Sequence, residues 1–574
     1  MGTRSPGDRL VRRSVRHGGG WTVALAGVAL LGAAAQLFLP TALGHAVDAA
    51  LGDGSRWWPL VAGVLVAVLI ATDTLSDLAT GYGAARATAR LRDQLTRHLF
   101  RLDVRQARRH PVGDLTARLV AGAADAGQAG NAVVLGAVAV IPPLGSVVAL
   151  TLLAPALGLT LLAGLVLLTV LLRTFVTDSS TVVTAYQRVL GTIAGRLLES
   201  TGGARTVAAA GTVDQERERI LEPLPELAEH GRRSWELLAR AGARTAAVAP
   251  LLTLAVIAVG GYGLTAGWLT PGELVAAVRY ATLGAGLGAA VAALNRLVRV
   301  RAGAHRLAEP LALPVAPVGD RPLPRGWGEL TLRGVTVHTD DGRPILSGVD
   351  LTVPAGGTVA VVGVSGSGKS TLAAVAGRLH DPDAGEVLLD GVPLHRLDPA
   401  TLRRAVGYAF ERPVLVGATV HEAVGLALPA DAAVPPPDAP ATPPVLAATR
   451  AAAVDDCVGR LPEGFRTPLH RAPLSGGEAQ RLGLARALAA ERLLVLDDAT
   501  SSLDTATEHR VSRAIAGRAG ERTRLVVTHR TATAAAADLV AWLDRGRLRA
   551  LAPHRLLWSD PAYRAVFQAG EGTP

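Results

Sequence analysis

The stretch that decides the fold reads Gly363-Val364-Ser365-Gly366-Ser367-Gly368-Lys369-Ser370. It matches the pattern G-x-x-x-x-G-K-[ST] and directly follows Thr358 to Val362, an apolar run typical of a strand. In this pattern the glycines let backbone N–H groups surround the α- and β-phosphates of a nucleotide. Lys369 then reaches the β- and γ-phosphates, and the Ser370 hydroxyl ligates Mg²⁺. The helix that follows points its N-terminus at the phosphates, so Thr371 is a further candidate for nucleotide contact.

A second glycine motif lies about a hundred residues further on and reads Leu474-Ser475-Gly476-Gly477-Glu478. Ser475 is a good N-cap for the helical run that follows, and Gly476 and Gly477 allow a phosphate to approach the start of that helix. A plain capped turn would look the same, so this motif is informative only together with its neighbours.

Acidic residues follow the apolar run 493–496, which is typical of a buried strand. Asp497 is placed to hold Mg²⁺, and Asp498 is placed where a carboxylate can orient an attacking water. Asp504 follows in a Ser-Ser-Leu-Asp sequence, and His529 ends the strand-like run 524–528, at a position where a γ-phosphate can be sensed. Strand-like and helical runs alternate through this half, which predicts an α/β domain with a largely parallel sheet.

Composition separates the two halves of the 574-residue chain. Only 18% of residues are charged, against roughly 25% in an average soluble protein, which argues against a wholly soluble or disordered chain. All but one of the 58 Lys and Arg residues are arginine, and the exception is Lys369. The net charge of +10 therefore reflects an arginine bias, and we expect no nucleic-acid partner. The single cysteine, Cys457, excludes an internal disulfide.

Six apolar runs in the first 300 residues are candidate membrane spans. They are 21–43, 57–80, 132–153, 156–176, 245–266 and 273–297.

Arginines are concentrated in the connections after the second and fourth runs and beyond the sixth run, whereas the other connections are nearly free of them. The positive-inside rule then places both termini in the cytoplasm. The two long connections keep an apolar period, which predicts helical extensions into the cytosol.

These patterns divide the chain into segments. We expect a basic cytoplasmic leader over 1–20, a six-helix transmembrane domain over 21–308, a Pro-rich linker over 309–326 and an α/β P-loop ATPase domain over 327–574. A second Pro-rich stretch, about 429–446, predicts a disordered insertion in the ATPase domain.

The order of P-loop, Leu-Ser-Gly-Gly, paired acids and strand-terminal histidine resembles the nucleotide-binding domain of ABC transporters. Six spans before such a domain resemble an exporter-fold (type IV) half-transporter, with segments similar to the family's intracellular coupling segments at 113–118 and 198–211. The resemblance implies ATP and Mg²⁺ as cofactors, and a second half-transporter as partner. It further implies that Ser475 to Glu478 serve ATP bound by the partner, that Asp504 is a nucleotide-binding candidate, and that the protein lies in a bacterial plasma membrane.

Three positions depart from the family pattern. Asp498 stands where the family has a glutamate, which withdraws the carboxylate by roughly 1.5 Å, and a misplacement near 1 Å can cost on the order of 10²-fold in rate. Glu411 stands at the glutamine that touches Mg²⁺ and the attacking water, and a glutamate can itself ligate Mg²⁺. Thr339 stands at the adenine-stacking aromatic, with His338 as a possible substitute.

The sequence therefore predicts ATP-driven export of a small molecule, lipid or peptide by half of a dimer, in which a heterodimer with a degenerate site is preferred. Two alternatives stay open: an ATP-binding regulatory subunit with little hydrolysis of its own, and an importer built on the exporter fold. In the second span, Asp73 and Asp77 either line a substrate cavity or lie in water at the cytoplasmic end.

Overall fold

The protein is known from a computed structural model, which describes residues 6–52, 55–108, 110–286, 288–315, 317–428, 441–516 and 522–568. The chain divides into two compact units. The first comprises Met1–Phe100 and Pro111–Leu313, and the second comprises Arg101–His110 and Pro314–Pro574.

The first unit is made of helices. They are α1 Pro6–His17, α2 Gly20–Leu51, α3 Trp58–Leu99, α5 Val112–Ala117, a π-helical turn Arg118–Gly122, α6 Ala123–Gly127, α7 Ala129–Val138, α8 Ile141–Leu153, α9 Pro155–Gly202, α10 Ala204–Ala210, α11 Val213–Leu221, α12 Leu224–Thr265, α13 Pro271–Gly284 and α14 Gly288–Leu311. The short α4, Val104–Arg108, belongs to the second unit.

Four of the six predicted apolar runs lie along single helices of the first unit, whereas 132–153 is divided between α7 and α8 and 273–297 between α13 and α14. Among the described residues, three helical stretches are long and apolar enough to cross a membrane: Gly20–Leu51, Trp58–Leu99 and Val112–Leu153. The helix α9 has 48 residues, so at 1.5 Å per residue it is roughly 70 Å long and extends well past its apolar part. These dimensions agree with the predicted transmembrane domain and its helical extensions.

Small residues let α2 and α13 approach closely. A Cβ built on Gly44 would lie 2.6 Å from the carbonyl oxygen of Gly272. Beside this contact the Asp48 carboxylate accepts hydrogen bonds from Thr270 Oγ1 and Gly272 N, both at 2.8 Å. Asp48 is thus a structural partner for the N-terminus of α13.

The second unit is an α/β domain. Its strands are β1 Leu330–His338, β2 Pro344–Val353, β3 Thr358–Val362, β4 Ala384–Leu389, β5 Val392–Pro393, β6 Val406–Ala409, β7 Leu493–Asp497, β8 Thr523–Val527, β9 Leu539–Asp544 and β10 Arg547–Ala552. Its helices of four or more residues after α14 are α15 Lys369–Ala376, α16 Pro399–Ala405, α17 Val420–Gly425, α18 Pro443–Ala451, α19 Asp455–Gly459, α20 Gly476–Ala487, α21 Thr505–Ala516, α22 Thr531–Ala536, α23 His554–Leu557 and α24 Pro561–Gln568.

Two sheets share the core of this unit. An antiparallel sheet has the order β2-β1-β4-β5, and the larger sheet has the order β10-β9-β3-β8-β7-β6. In the larger sheet all neighbours are parallel except β9 and β10. The interior strand β3 is apolar and its last four residues are fully buried, as expected for a strand covered on both faces. Because the carboxyl ends of parallel strands lie at one edge, the residues after β3, β7 and β8 come together there.

Two boundaries differ from the sequence-based prediction. The segment Arg101–His110, predicted within the transmembrane domain, belongs to the second unit, where Arg105 forms ion pairs with Asp340 and Asp383. In the predicted insertion, residues 429–440 lie outside the described part of the chain. Residues 443–446, however, start the helix α18, in which Val445 is fully buried, because its apolar face packs on the core.

Candidate functional site

The predicted phosphate loop lies between β3 and α15, as its pattern requires. Gly366 has φ +80° and Gly368 has φ +98°, a left-handed backbone that favours glycine. A Cβ on Gly368 would also lie 2.8 Å from Leu346 Cδ2, so this position has neither the conformation nor the space for a larger residue. Ser367 Oγ is buried and has no hydrogen-bond partner among the described residues, so a ligand oxygen could satisfy it. The loop therefore fits a bound nucleotide phosphate.

Lys369 lies at this loop. Its Nζ donates to the carbonyl oxygens of Gly363 at 2.8 Å and Val364 at 3.0 Å. Burial lowers the pKa of Lys369, and the nearby carboxylates of Asp498 and Asp497 oppose that shift. The ammonium thus has two backbone carbonyl partners that a phosphate can replace.

A hydroxyl and a carboxylate meet at the corner where Mg²⁺ is predicted. Ser370 Oγ donates to Asp497 Oδ1 at 3.0 Å, and Tyr408 OH donates to Asp497 Oδ2 at 3.2 Å. Burial raises the pKa of Asp497 despite these two bonds, and the charges of Asp498 and Glu411 add to the rise. Hydroxyl and carboxylate oxygens are the ligands that Mg²⁺ prefers, so Ser370 and Asp497 fit the ion. The Glu411 side chain, 55% exposed, is close enough to influence Asp497.

Asp498 and His529 are brought together from different strand ends. Asp498 Oδ1 lies 3.0 Å from His529 Nδ1. Asp498 has φ +47°, a left-handed conformation that aspartate tolerates better than most residues. The carboxylate is therefore held toward the histidine by a constrained backbone.

Gln480 connects the residues around Asp498, and the sequence analysis did not single it out. It is 2% exposed, and its Nε2 lies within hydrogen-bond distance of Glu411 O, Asp498 O and Ser501 Oγ. Its Oε1 accepts from Ser502 N at 3.0 Å. A polar residue at a core position of α20 was the available signal, because a buried amide needs partners. The sequence analysis also did not single out Tyr408, whose hydroxyl donates to Asp497.

The second glycine motif forms the N-terminus of α20. Ser475 Oγ accepts from Glu478 N at 3.3 Å, while Glu478 Oε2 accepts from Ser475 N and Ser475 Oγ, both at 2.8 Å. This is a complete capping box. The hydrogen bond from Ser475 N, followed by bonds with the Cys457 thiol and the Ser475 hydroxyl, lowers the pKa of Glu478 to about 2. Within the described residues no hydrogen bond joins this motif to the phosphate loop.

Other predicted residues have local partners. Asp504 Oδ2 accepts from Thr507 N at 3.0 Å and so caps α21. His338 Nδ1 lies 3.2 Å from Asp383 Oδ2, so one ring nitrogen of His338 already has a hydrogen-bond partner. Thr371 lies in the first turn of α15. Of the predicted set, the structure brings together residues of the P-loop, Asp497, Asp498, His529 and Glu411.

A cavity of about 780 Å³ lies among the helices of the first unit. Its lining is mostly apolar but includes Gln36, Asp73, Ser76 and Arg296. Asp77 lines a separate cavity together with Arg296. Asp73 thus faces a space large enough for a small molecule.

A P-loop, a parallel sheet and paired acids after an adjacent strand define a nucleoside-triphosphate-binding domain, here following a helical membrane domain. Family models agree: "ABC transporter transmembrane region" matches residues 23–284, and "ABC transporter" matches residues 346–501. The chain belongs to the ABC transporter family, as a half-transporter in which a transmembrane domain is fused to an ATPase domain.

Individual relatives support this assignment. The chain is 50% identical over 542 residues to the ABC transporter ATP-binding protein RamA of Streptomyces coelicolor, covering 94% of this chain and 84% of that protein. It is 34% identical to the multidrug efflux ATP-binding/permease protein Rv0194 of Mycobacterium tuberculosis, over 64% of this chain and 30% of that one. A bacterial Atm1-family ABC exporter with ATP bound superposes with a TM-score of 0.78 at 26% identity, covering 98% of this chain and 99% of that chain. The predicted fold class and ATPase assignment are confirmed.

Proposed function

We propose that this chain is one half of an ATP-driven exporter dimer, paired with a different half-transporter that supplies the faster hydrolytic site. Asp498, at the position of the family's glutamate, carries the proposal. Its shorter side chain is paired with His529 at 3.0 Å, so it is a poor base for activating water. The intact capping box at Ser475 supports a complete signature for the partner's ATP.

The geometry supports the following roles within this chain's own site. Lys369 exchanges its carbonyl partners for the β- and γ-phosphates, and the glycine loop surrounds the α- and β-phosphates with N–H groups. Ser370 and Asp497, with Glu411 beside them, hold Mg²⁺, which neutralises phosphate charge when bound. His529 donates to the γ-phosphate. Slow turnover is the expected result, with weaker or less base-selective nucleotide binding because Thr339 stands where the family has a stacking aromatic.

The test is the Asp498→Glu variant in the purified full-length transporter, co-expressed with a second half-transporter that carries glutamate at the position of Asp498. The added methylene extends the carboxylate, and we expect ATP turnover at this site to rise by about tenfold or more. The matched Asp498→Asn variant keeps the size but removes the base. If neither substitution changes turnover while the chain still binds ATP, Asp498 is not the limiting group and the proposal fails.

The pairing has a separate test. We expect the chain to co-purify with a different half-transporter encoded in the same organism and to transport only as that pair. A stable homodimer that transports by itself would contradict the heterodimer.

The cargo is proposed from the membrane cavity. Its mostly apolar wall with Asp73 and Arg296 suits an amphipathic molecule with polar or charged groups. We expect both termini on the cytoplasmic side of the bacterial inner membrane, as the arginine distribution indicates.

Import is the second candidate, because two relatives are named mycobactin import proteins. IrtA is 40% identical over 40% of this chain and 26% of that protein, and IrtB is 38% identical over 44% of this chain and 43% of that protein. Inside-out vesicles separate the directions: ATP-dependent accumulation of cargo in their lumen indicates export, whereas ATP-dependent loss from preloaded vesicles indicates import.

A further inference from the structure

A cavity of about 500 Å³ in the ATPase unit contains no residue of the phosphate loop, although Asp498 and His529 line one end of it. It lies beside the sheet, where α21 and α22 cover strand β8. From Arg524 to Thr528 it follows the strand for roughly 13 Å at about 3.3 Å per residue. Its volume is in the range of small-molecule sites.

The small side chains of α22 explain why this cavity is present. The helix α22 reads Thr-Ala-Thr-Ala-Ala-Ala, and its side chains are too small to fill the space above the sheet. Ala532, Thr533 and Ala536 line one wall, and Leu496, Val526 and Ile515 line others. The lining is thus largely apolar.

One buried cation lines this apolar space. Arg524 is 5% exposed. Its Nη1 donates to Thr358 Oγ1 at 3.2 Å, but its buried Nη2 makes no hydrogen bond in the described part of the chain. Burial lowers the pKa of Arg524, and Asp538 opposes this shift. Because Nη2 is itself buried, an occupant of the cavity would meet the guanidinium through its charge, and an anion would offset the cost of burying that cation.

The other charged residues around the cavity are engaged or exposed. Glu508 is paired with Arg530, and Asp498 with His529. Arg513 and His509 are exposed. Arg524 is therefore the buried charge that an occupant of the cavity would meet.

We propose that this cavity binds a small amphipathic anion, a carboxylate or sulfonate with an elongated apolar body, whose acidic group meets Arg524. The apolar body would lie along β8 toward Asp498 and His529, which also line the cavity. The site is separate from the phosphate loop and from the membrane cavity. Such a ligand would regulate hydrolysis from the side of Asp498 and His529 that faces the cavity.

The test uses 6-fluoro-2-naphthoate as the probe and full-length protein in nanodiscs, with empty nanodiscs as the blank. Binding is followed by ¹⁹F NMR line broadening at saturating ATP, so that the nucleotide site is occupied. We expect saturable binding, at least about tenfold weaker in Arg524→Met because the charge-assisted bonds are lost. The uncharged 6-fluoro-2-acetylnaphthalene should bind weakly by the same measure.

Two matched pairs locate the site. Ala536→Phe should fill the cavity and abolish binding, whereas Ala535→Phe, at an exposed neighbour outside the lining, should leave it unchanged. Arg513→Met should have little effect. Binding that persists in Arg524→Met or Ala536→Phe, or that is lost in Arg513→Met, would overturn the proposal. Unfolding temperature and ATP binding confirm that each variant is folded, and the Ala536 and Ala535 pair decides if Arg524→Met does not fold.

Discussion

At the scale of single residues, the phosphate loop depends on backbone freedom as much as on Lys369. Gly368 combines φ +98° with a Cβ position only 2.8 Å from Leu346 Cδ2. The motif alone reveals neither the positive φ nor the close contact, yet both decide which residues can replace Gly368.

Gly368→Ala is expected to lower ATP affinity by at least about tenfold, because the loop must shift to relieve the contact and the left-handed strain. Binding of a fluorescent ATP analogue to the full-length chain measures this. Gly391→Ala is the control, since Gly391 has φ +77° but open space at its Cβ and no place in the site. Equal losses in both variants would show that the effect is general destabilisation.

Gln480→Leu is expected to destabilise the ATPase unit by about 2 kcal/mol, because it leaves buried partners around Asp498 unpaired. The unfolding temperature of the full-length protein should fall, and ATP turnover should fall with it. Gln215→Leu, at an exposed position of α11, should change neither. An unchanged unfolding temperature in Gln480→Leu would show that these hydrogen bonds contribute little.

At the scale of elements, the N-terminus of α20 is held by Ser475 and Glu478, and its stability should depend on pH. The pKa of Glu478 is lowered from 4.5 to about 2 in the folded protein. A lowered pKa contributes stability that is present above the unfolded value and is lost as pH falls from about 4.5 toward 2.

Glu478→Gln should therefore lower the unfolding temperature clearly at pH 7 and progressively less as the pH falls below 4.5. Thermal unfolding of both proteins across this range is the measurement. Glu463→Gln, at an exposed position, provides the control. A difference that stays constant with pH would mean that the carboxylate's charge does not stabilise the cap.

The elements themselves were largely readable from the sequence. The strands β3, β7 and β8 and the six helical runs follow from local apolar patterns. The helix α18 could not be predicted from the sequence, because its start is Pro-rich. Only the burial of Val445 against the core explains why this segment is helical.

At the scale of the whole molecule, the predicted topology can be tested through cysteine chemistry. Cys457 is buried and free, so Cys457→Ser gives a background without cysteine. In that background, Ser55→Cys, between α2 and α3, should react with a membrane-impermeant maleimide in intact cells. Ser559→Cys, near the C-terminus, should react only after the membrane is disrupted. The reverse pattern would place the termini outside.

The sequence by itself determined the class of protein, because its chemistry lies in short motifs whose residue types and spacing have a local physical reason. The glycine loop, the paired acids and the apolar runs need no distant contact to be recognised. Tertiary structure alone decided what these groups touch. It paired Asp498 with His529, gave Gln480 its partners and left Arg524 buried with an unused donor beside a cavity. Such contacts join residues far apart in the chain, and burial sets their energies, so no local pattern encodes them.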